Sequence, residues 1–356
     1  MYFGSDNQTG ASEQVFSFLQ QANKGICAAY SDDDWTGRAV SKIQELFECD
    51  AEVYLVSTGT AANSMALACM TEAWDSIVCH GQSHIINDEL TAPEFFTGGT
   101  RLIGLDTQLP KLTFDSLDEF LSHGSTHPPH NAVPKALSLT QMNESGQVYS
   151  LDEIQLMTRL AHDKGLTVHM DGARFANAIV ALGCTPAELT WKAGIDVLTL
   201  GATKNGALSA EAAVFFNKKL SSNFIQHRKR SGHLISKGRW LGAQFVGWLE
   251  DNHWLDLAKH ANDMSARLAS GIEQSRNAQL VWPVMGNEVF VLLDKERINY
   301  LRNEGAVFYE WPKSFLAPEL NITESQDIVR FVTSFQTSTD EVDKFLKLLD
   351  KLLQHS

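Results

Sequence analysis

No two of the five cysteines, Cys27, Cys49, Cys69, Cys79 and Cys184, stand in a Cys-x-x-Cys spacing. Neither a disulfide framework nor a cysteine zinc site is indicated, and a reducing compartment is expected. Positive charge is also scarce: 29 Lys and Arg against 43 Asp and Glu leave a formal net charge of −14. A nucleic-acid or anionic-membrane surface needs clustered basic side chains, and the one basic run, His227-Arg228-Lys229-Arg230, is too short to supply it. No apolar stretch approaches the roughly 18 residues of a membrane span, and Met1 to Asn7 holds neither a basic segment nor an apolar run. A cytoplasmic protein is expected, with small molecules or other protein subunits as partners. Gly-x-Gly-x-x-Gly after a strand is missing as well. The segment Gly201-Ala202-Thr203-Lys204-Asn205-Gly206 has neither that spacing nor the phosphate-loop pattern, which disfavours a nicotinamide dehydrogenase.

The 356 residues, 44% of them hydrophobic, suffice for one large domain and a smaller one. Strand-like and helix-like segments alternate up to about residue 250, the pattern of an α/β fold with a mixed, mostly parallel sheet. Helices are expected over 13–23, 36–47, 64–70, 114–121, 151–163, 218–230 and 234–250, with strands over 53–56, 76–79, 101–105, 135–140 and 212–217. In the run Asp32-Asp33-Asp34 a helix cap explains the acids better than a cation site. Trp240, Leu241, Phe245, Trp248 and Leu249 recur at helical spacing, a core or subunit-contact face. The histidines of His123 to His130 sit among prolines at irregular intervals and read as a surface connection, so no metal is expected. Beyond 250 the rhythm changes to short strands over 289–293, 307–309 and 328–334, and helices over 254–274, 296–303 and 340–353. The domains are therefore set at 1–250 and at 251–356, the second a smaller α+β unit.

Two stretches carry the chemistry. In Val197-Leu198-Thr199-Leu200-Gly201-Ala202-Thr203-Lys204-Asn205-Gly206 an apolar β run ends in small residues and presents one lysine at a sheet margin. Taken alone it reads as a solvated loop lysine. The second stretch, Leu166-Thr167-Val168-His169-Met170-Asp171-Gly172-Ala173-Arg174, ends another β run in a carboxylate. Neighbouring parallel strands bring their carboxyl ends to one rim, where open α/β sheets bind ligands, so Asp171 and Lys204 are expected to face one crevice. That pair suits pyridoxal 5'-phosphate: the amine forms a Schiff base and the carboxylate keeps the pyridinium protonated as an electron sink.

Other stretches fit less specifically. Ser57-Thr58-Gly59-Thr60-Ala61-Ala62-Asn63 reads equally as a helix cap or as a phosphate site at a helix start. His84 reads as a loop histidine, a ring over an aromatic cofactor, or a base. Arg330, inside the run Ile328 to Thr333, must find an anion or reach solvent.

Together, and in this order along nearly the whole chain, these motifs resemble the low-specificity L-threonine aldolases, pyridoxal-phosphate enzymes of fold type I, the aspartate aminotransferase type. The resemblance implies Lys204 as the Schiff-base lysine, Asp171 as the pyridinium partner and Arg174 as a contact to the ring oxygen. It gives the phosphate to Gly59 and Thr60 with help from Thr203, the ring stack to His84, and the substrate carboxylate to Ser5 and Arg330. It also implies a homodimer or homotetramer with the site at the subunit interface, where Tyr30 and either Lys237 or Arg239 reach the neighbouring cofactor. The implied reaction is retro-aldol cleavage of threonine and related β-hydroxy-α-amino acids to glycine and an aldehyde, with a β-eliminating lyase or aminotransferase of the same fold as the alternative. One departure stands out. Many members have a histidine after the strand matching 135–140, whereas here the loop reads Gln141-Met142-Asn143-Glu144-Ser145-Gly146, which leaves open whether the base is His84, directly or through water, or Glu144.

Overall fold

Strand Val197–Gly201 is buried at all five positions, although its side chains alternate between two faces. Val197 joins one apolar cluster while Leu198 and Leu200 join another, so both faces are covered and the run reads as continuously apolar. The computed structural model describes residues 1–106, 108–123, 127–313 and 322–352. Within these, a first sheet contains β1 (Glu52–Val56), β2 (Asp75–His80), β3 (Arg101–Leu105), β4 (Val133–Thr140), β5 (Thr167–Gly172), β6 (Val197–Gly201) and β7 (Glu211–Phe215). Their order is β1-β7-β6-β5-β4-β2-β3. Only β7 runs against its neighbours, pairing antiparallel with both β1 and β6.

The helix Gly59–Met70 packs across one face of this sheet and is buried almost throughout. It begins five residues before the expected start at 64, because the Thr58 hydroxyl accepts the Ala61 N–H at 3.3 Å and caps it there. The expected cap at Asp33 holds: its carboxylate accepts from Thr36 N at 2.9 Å. The helix expected over 234–250 starts only at Arg239, and the one over 218–230 is split into a 3-10 turn, Lys218–Ser221, and a helix, Phe224–Arg230. The buried helix Phe175–Leu182 gives no helical rhythm to read, since Phe175 to Ile179 all face the interior.

A second, antiparallel sheet has the order β10-β11-β9-β8, from β8 (Ala278–Leu280), β9 (Glu288–Asp294), β10 (Tyr309–Trp311) and β11 (Gln326–Val332). The strand expected at 307–309 forms later, because Val307 instead takes up Tyr2 and Phe3: Phe3 N–H donates to Val307 O at 2.8 Å and Val332 N–H to Phe3 O at 2.9 Å. Phe3 is fully buried in this second core. Leu353, the last residue of the expected terminal helix, and part of the histidine-rich loop lie outside the described residues. Among the described residues no helix is long and apolar enough to cross a membrane.

Candidate active site

The carboxyl ends of β4, β5 and β6 open on a cavity of about 310 Å³. Asp171, at the end of β5, and Lys204, in the 3-10 turn Thr203–Asn205 after β6, both line it. The end of β5 lies tight on β6: a Cβ on Gly172 would stand 2.6 Å from Thr199 O, so only glycine allows this close approach beside Asp171. Asp171 is buried and held on both oxygens, Oδ1 accepting Ala173 N–H at 3.0 Å and Oδ2 the Asn63 amide at 2.8 Å. The Lys204 amine has no hydrogen bond or ion pair among the described residues.

His84 also lines the cavity. Its Nδ1 meets Glu89 Oε1 at 2.9 Å, and the same oxygen accepts the Asn63 amide at 2.9 Å. Asn63 thus ties the Glu89–His84 pair to Asp171. Burial works against a charged ring, but the Glu89 hydrogen bond and the nearby Asp171 charge outweigh it and raise the His84 pKa.

Arg174 lines the cavity with its guanidinium clamped from behind: Nε and Nη2 donate to the two Asp6 oxygens at 2.7 and 3.0 Å, and Nη2 lies 3.2 Å from Glu288 Oε1. Nη1 has no such bond among the described residues. Burial raises the Asp6 pKa, but the charges of Arg174 and Lys204 and the Arg174 and Asn287 hydrogen bonds reverse this and leave it lowered. Removing one partner of a buried ion pair strands the other. Asp6→Ala is therefore expected to cost about 3 kcal/mol of stability, the low end for such pairs. Equilibrium denaturation is the check; a midpoint unchanged from wild type would show the pair to be dispensable.

Beside these groups the helix Gly59–Met70 presents its amino-terminal end. A Cβ added at Gly59 would meet nothing within 4 Å among the described residues, and Gly59 lines the cavity together with Ser57, Thr58, Thr60, Thr203 and Ser209. The Thr203 hydroxyl accepts from Ala210 N–H at 3.1 Å, which pins the turn carrying Lys204. An open cup of N–H and hydroxyl donors at a helix start, an unpaired amine and a fixed carboxylate are the donor set that a phosphorylated pyridine aldehyde requires.

The structure therefore brings Gly59, Thr60, His84, Asp171, Arg174, Thr203 and Lys204 to one cavity. It does not bring Ser5 or Arg330 to its wall. The Ser5 hydroxyl accepts from Asn7 N–H at 3.1 Å and borders a separate hollow near Tyr2 and Ser334. Arg330 lies with Nη1 3.3 Å from Glu288 Oε1, its guanidinium 4.8 Å from the Trp311 ring centre. Both arginines, Arg174 and Arg330, thus touch the same Glu288 oxygen. Tyr30, Lys237 and Arg239 sit elsewhere in this chain: Tyr30 is exposed, its N–H donates to Ser236 O at 3.0 Å, and Arg239 donates to Gly25 O at 3.2 Å.

Asn63, Glu89, Glu211 and Glu288 had no role assigned from the sequence, since none has a spacing signal and each acquires its setting through long-range contacts. Glu211, first residue of β7, lines the cavity; burial, aided by Asp171, pushes its pKa up to about 7 against the opposing pull of Thr203 and Lys204. A carboxyl whose pKa is raised on folding loses stability as pH climbs from the unfolded value toward the folded one. Glu211→Gln is expected to raise the thermal midpoint at pH 8 and to leave it nearly unchanged at pH 5, with a gain of no more than about 3 kcal/mol for a shift of this size. Equal midpoints at both pH values would count against it.

A family model described as beta-eliminating lyase matches residues 3–296. The low specificity L-threonine aldolase of Pseudomonas sp. (strain NCIMB 10558) is 43% identical over 308 residues, covering 86% of this chain and 88% of that one. The low specificity L-threonine aldolase of Escherichia coli (strain K12) is 26% identical over 331 residues, covering 90% and 94%. Among solved structures, the threonine aldolase of Leishmania major matches with a TM-score of 0.89 at 27% identity over 98% of each chain. An aspartate aminotransferase from Rhodobacter sphaeroides 2.4.1 matches with a TM-score of 0.70 at 17% identity, over 98% of this chain and 93% of that one, a likeness of fold alone.

Proposed function

Because the chain belongs to the beta-eliminating lyase family, which it shares with low-specificity L-threonine aldolases, we propose that it cleaves L-threonine, L-allo-threonine and related β-hydroxy-α-amino acids to glycine and an aldehyde. Its fold is that of the pyridoxal-phosphate enzymes of the aspartate aminotransferase type. The observation that carries the reading is the unpaired amine of Lys204 and the anchored carboxylate of Asp171 in one cavity beside an open helix start.

Pyridoxal 5'-phosphate, when bound, supplies the sink for the electron pair left on the substrate's α-carbon. Lys204 would hold it covalently and yield its place to the substrate amine. Asp171, kept in place by Asn63 and Ala173, would hold the proton on the ring nitrogen, and His84 would lie against the ring. Gly59 and Thr60, with Thr203, would receive the phosphate at the helix start. The free Nη1 of Arg174 would reach the ring oxygen. The substrate carboxylate is assigned to the arginine side of the cavity, where Arg330 would exchange its Glu288 contact for the substrate; Ser5 joins it only if its loop turns inward. Holding the carboxylate there would orient the Cα–Cβ bond for cleavage, and a base would take the β-hydroxyl proton.

The same proposal includes a homodimer or homotetramer in the cytoplasm, with Tyr30 and Lys237 or Arg239 directed at a neighbouring subunit's cofactor. Incubation with L-threonine, L-allo-threonine and L-phenylserine, following aldehyde, glycine and the cofactor spectrum, tests the reading. Aldehyde and glycine in equal amounts are expected. The family description also admits β-elimination, so ammonia and a keto acid without aldehyde would replace the aldolase assignment with that one.

A further inference from the structure

The two oxygens of the Glu144 carboxyl group are treated differently by the fold. Oε1 accepts the His84 backbone N–H at 2.6 Å and the Thr140 hydroxyl at 3.2 Å, whereas Oε2 is buried and has no hydrogen-bond partner among the described residues. Glu144 borders the same cavity as Lys204 and Asp171. Its loop is fixed on both sides: Asn143 Oδ1 accepts from Ser145 N at 3.0 Å and Gln147 N at 2.9 Å, and Gln141 exchanges hydrogen bonds with the Tyr149 backbone at 2.8 and 2.9 Å. Gly146, at φ +68°, closes the loop against Glu288, where a Cβ would come within 3.1 Å of the Glu288 Cβ. The unsatisfied oxygen is thus held in place by a rigid frame, which is what a proton acceptor needs before substrate arrives.

His84 is differently placed. Its Nδ1 is committed to Glu89, and that contact favours the doubly protonated ring, which has donors on both nitrogens and no lone pair to accept with. We propose that Glu144, through Oε2, takes the proton from the substrate's β-hydroxyl group while Oε1 stays anchored. The inference rests on the aldolase reading above. As the proton leaves, the O–H electrons form the aldehyde C=O bond, the Cα–Cβ bond breaks, and its electron pair passes to the α-carbon with the cofactor as sink. A proton then returned to that carbon gives glycine, so that threonine is accounted for as glycine and acetaldehyde.

The groups facing Glu144 are consistent with this role. Burial and the Asp171 charge push its pKa up to about 7, against the opposing His84 N–H and charge. Arg174, beyond Asp171, and Cys79 on β2 and Tyr149 downstream also interact with it, and Glu89 acts through His84. Cleavage should therefore rise with pH as Glu144 gives up its proton near 7.

The test compares wild-type holoenzyme with Glu144→Gln in two reactions: L-threonine cleavage, and exchange of the glycine α-hydrogen with deuterated water followed by NMR. Exchange needs the cofactor, Lys204 and Asp171 but no β-hydroxyl base. Glu144→Gln is expected to lose about 10²- to 10⁴-fold in cleavage, the scale of a general base, to keep exchange within a few-fold, and to lose the pH limb near 7. Infrared difference spectra of wild type minus Glu144→Gln should show one carboxyl group titrating about that limb. Cleavage within a few-fold of wild type with the limb intact overturns the assignment. Equal loss of cleavage and exchange also overturns it, showing a residue that holds the site's shape. Exchange without any threonine cleavage by wild type removes the aldolase reading itself.

Discussion

Lys204→Ala is expected to fold normally, lose the absorption band of the lysine-bound cofactor, and turn over at least about 10³-fold more slowly, the scale of removing a group that takes part in bonding. Normal folding follows from how the turn is held. Asn205 donates to Trp254 O and accepts from the Trp248 indole, both at 2.8 Å, and Thr203 is tied to Ala210. None of these contacts uses the lysine side chain. Lys204→Arg should not restore activity, because a guanidinium is neither deprotonated nor nucleophilic near neutral pH. A small primary amine added to Lys204→Ala should recover part of the rate. Full turnover by Lys204→Ala would take the residue out of the reaction.

Asp171→Asn should be nearly as costly, lowering kcat by on the order of 10²- to 10³-fold, the scale of removing one oriented electrostatic group. The amide oxygen can still accept from Ala173 N–H, while the new amide NH2 faces the Asn63 donor, so that one contact is lost together with the charge. The charge on the ring-nitrogen side disappears. A second effect separates this loss from simple misfolding. The Asp171 charge raises the pKa of Glu144, so removing it lets Glu144 ionise at lower pH. The residual activity should therefore show its rising limb displaced toward acid. Unchanged kcat with an unmoved limb would place the ring nitrogen away from Asp171.

Much of this was legible in the sequence because it lies in short segments whose local pattern and chemistry coincide. β5 closes on a carboxylate and a glycine, β6 on a glycine followed three positions later by an amine, and parallel pairing brings such ends to one margin. Other parts were not legible for identifiable reasons. The reversed direction of β7 leaves no trace in its period, since a strand buried on both faces reads alike either way. Asn63 lies inside a helix and Glu211 begins a strand, and their surroundings are made by residues far away in the chain. The Thr58 cap was present in the sequence, but Gly59 directly after it is a weak helix former and obscures the first turn. Ser5 and Arg330 show the limit of position-by-position transfer: motif order says which residues correspond, and only coordinates say what each side chain is holding.

The opening six residues join two parts of the molecule. Tyr2 and Phe3 are stitched into the second sheet through Val307 and Val332, and three positions later Asp6 grips the arginine at the mouth of the cavity. So short a tether has little slack. Any shift of the second sheet, which also carries Glu288 and Arg330, must draw on Arg174 through this leash and through the shared glutamate, making the setting of that guanidinium a mechanical readout of where the sheet lies.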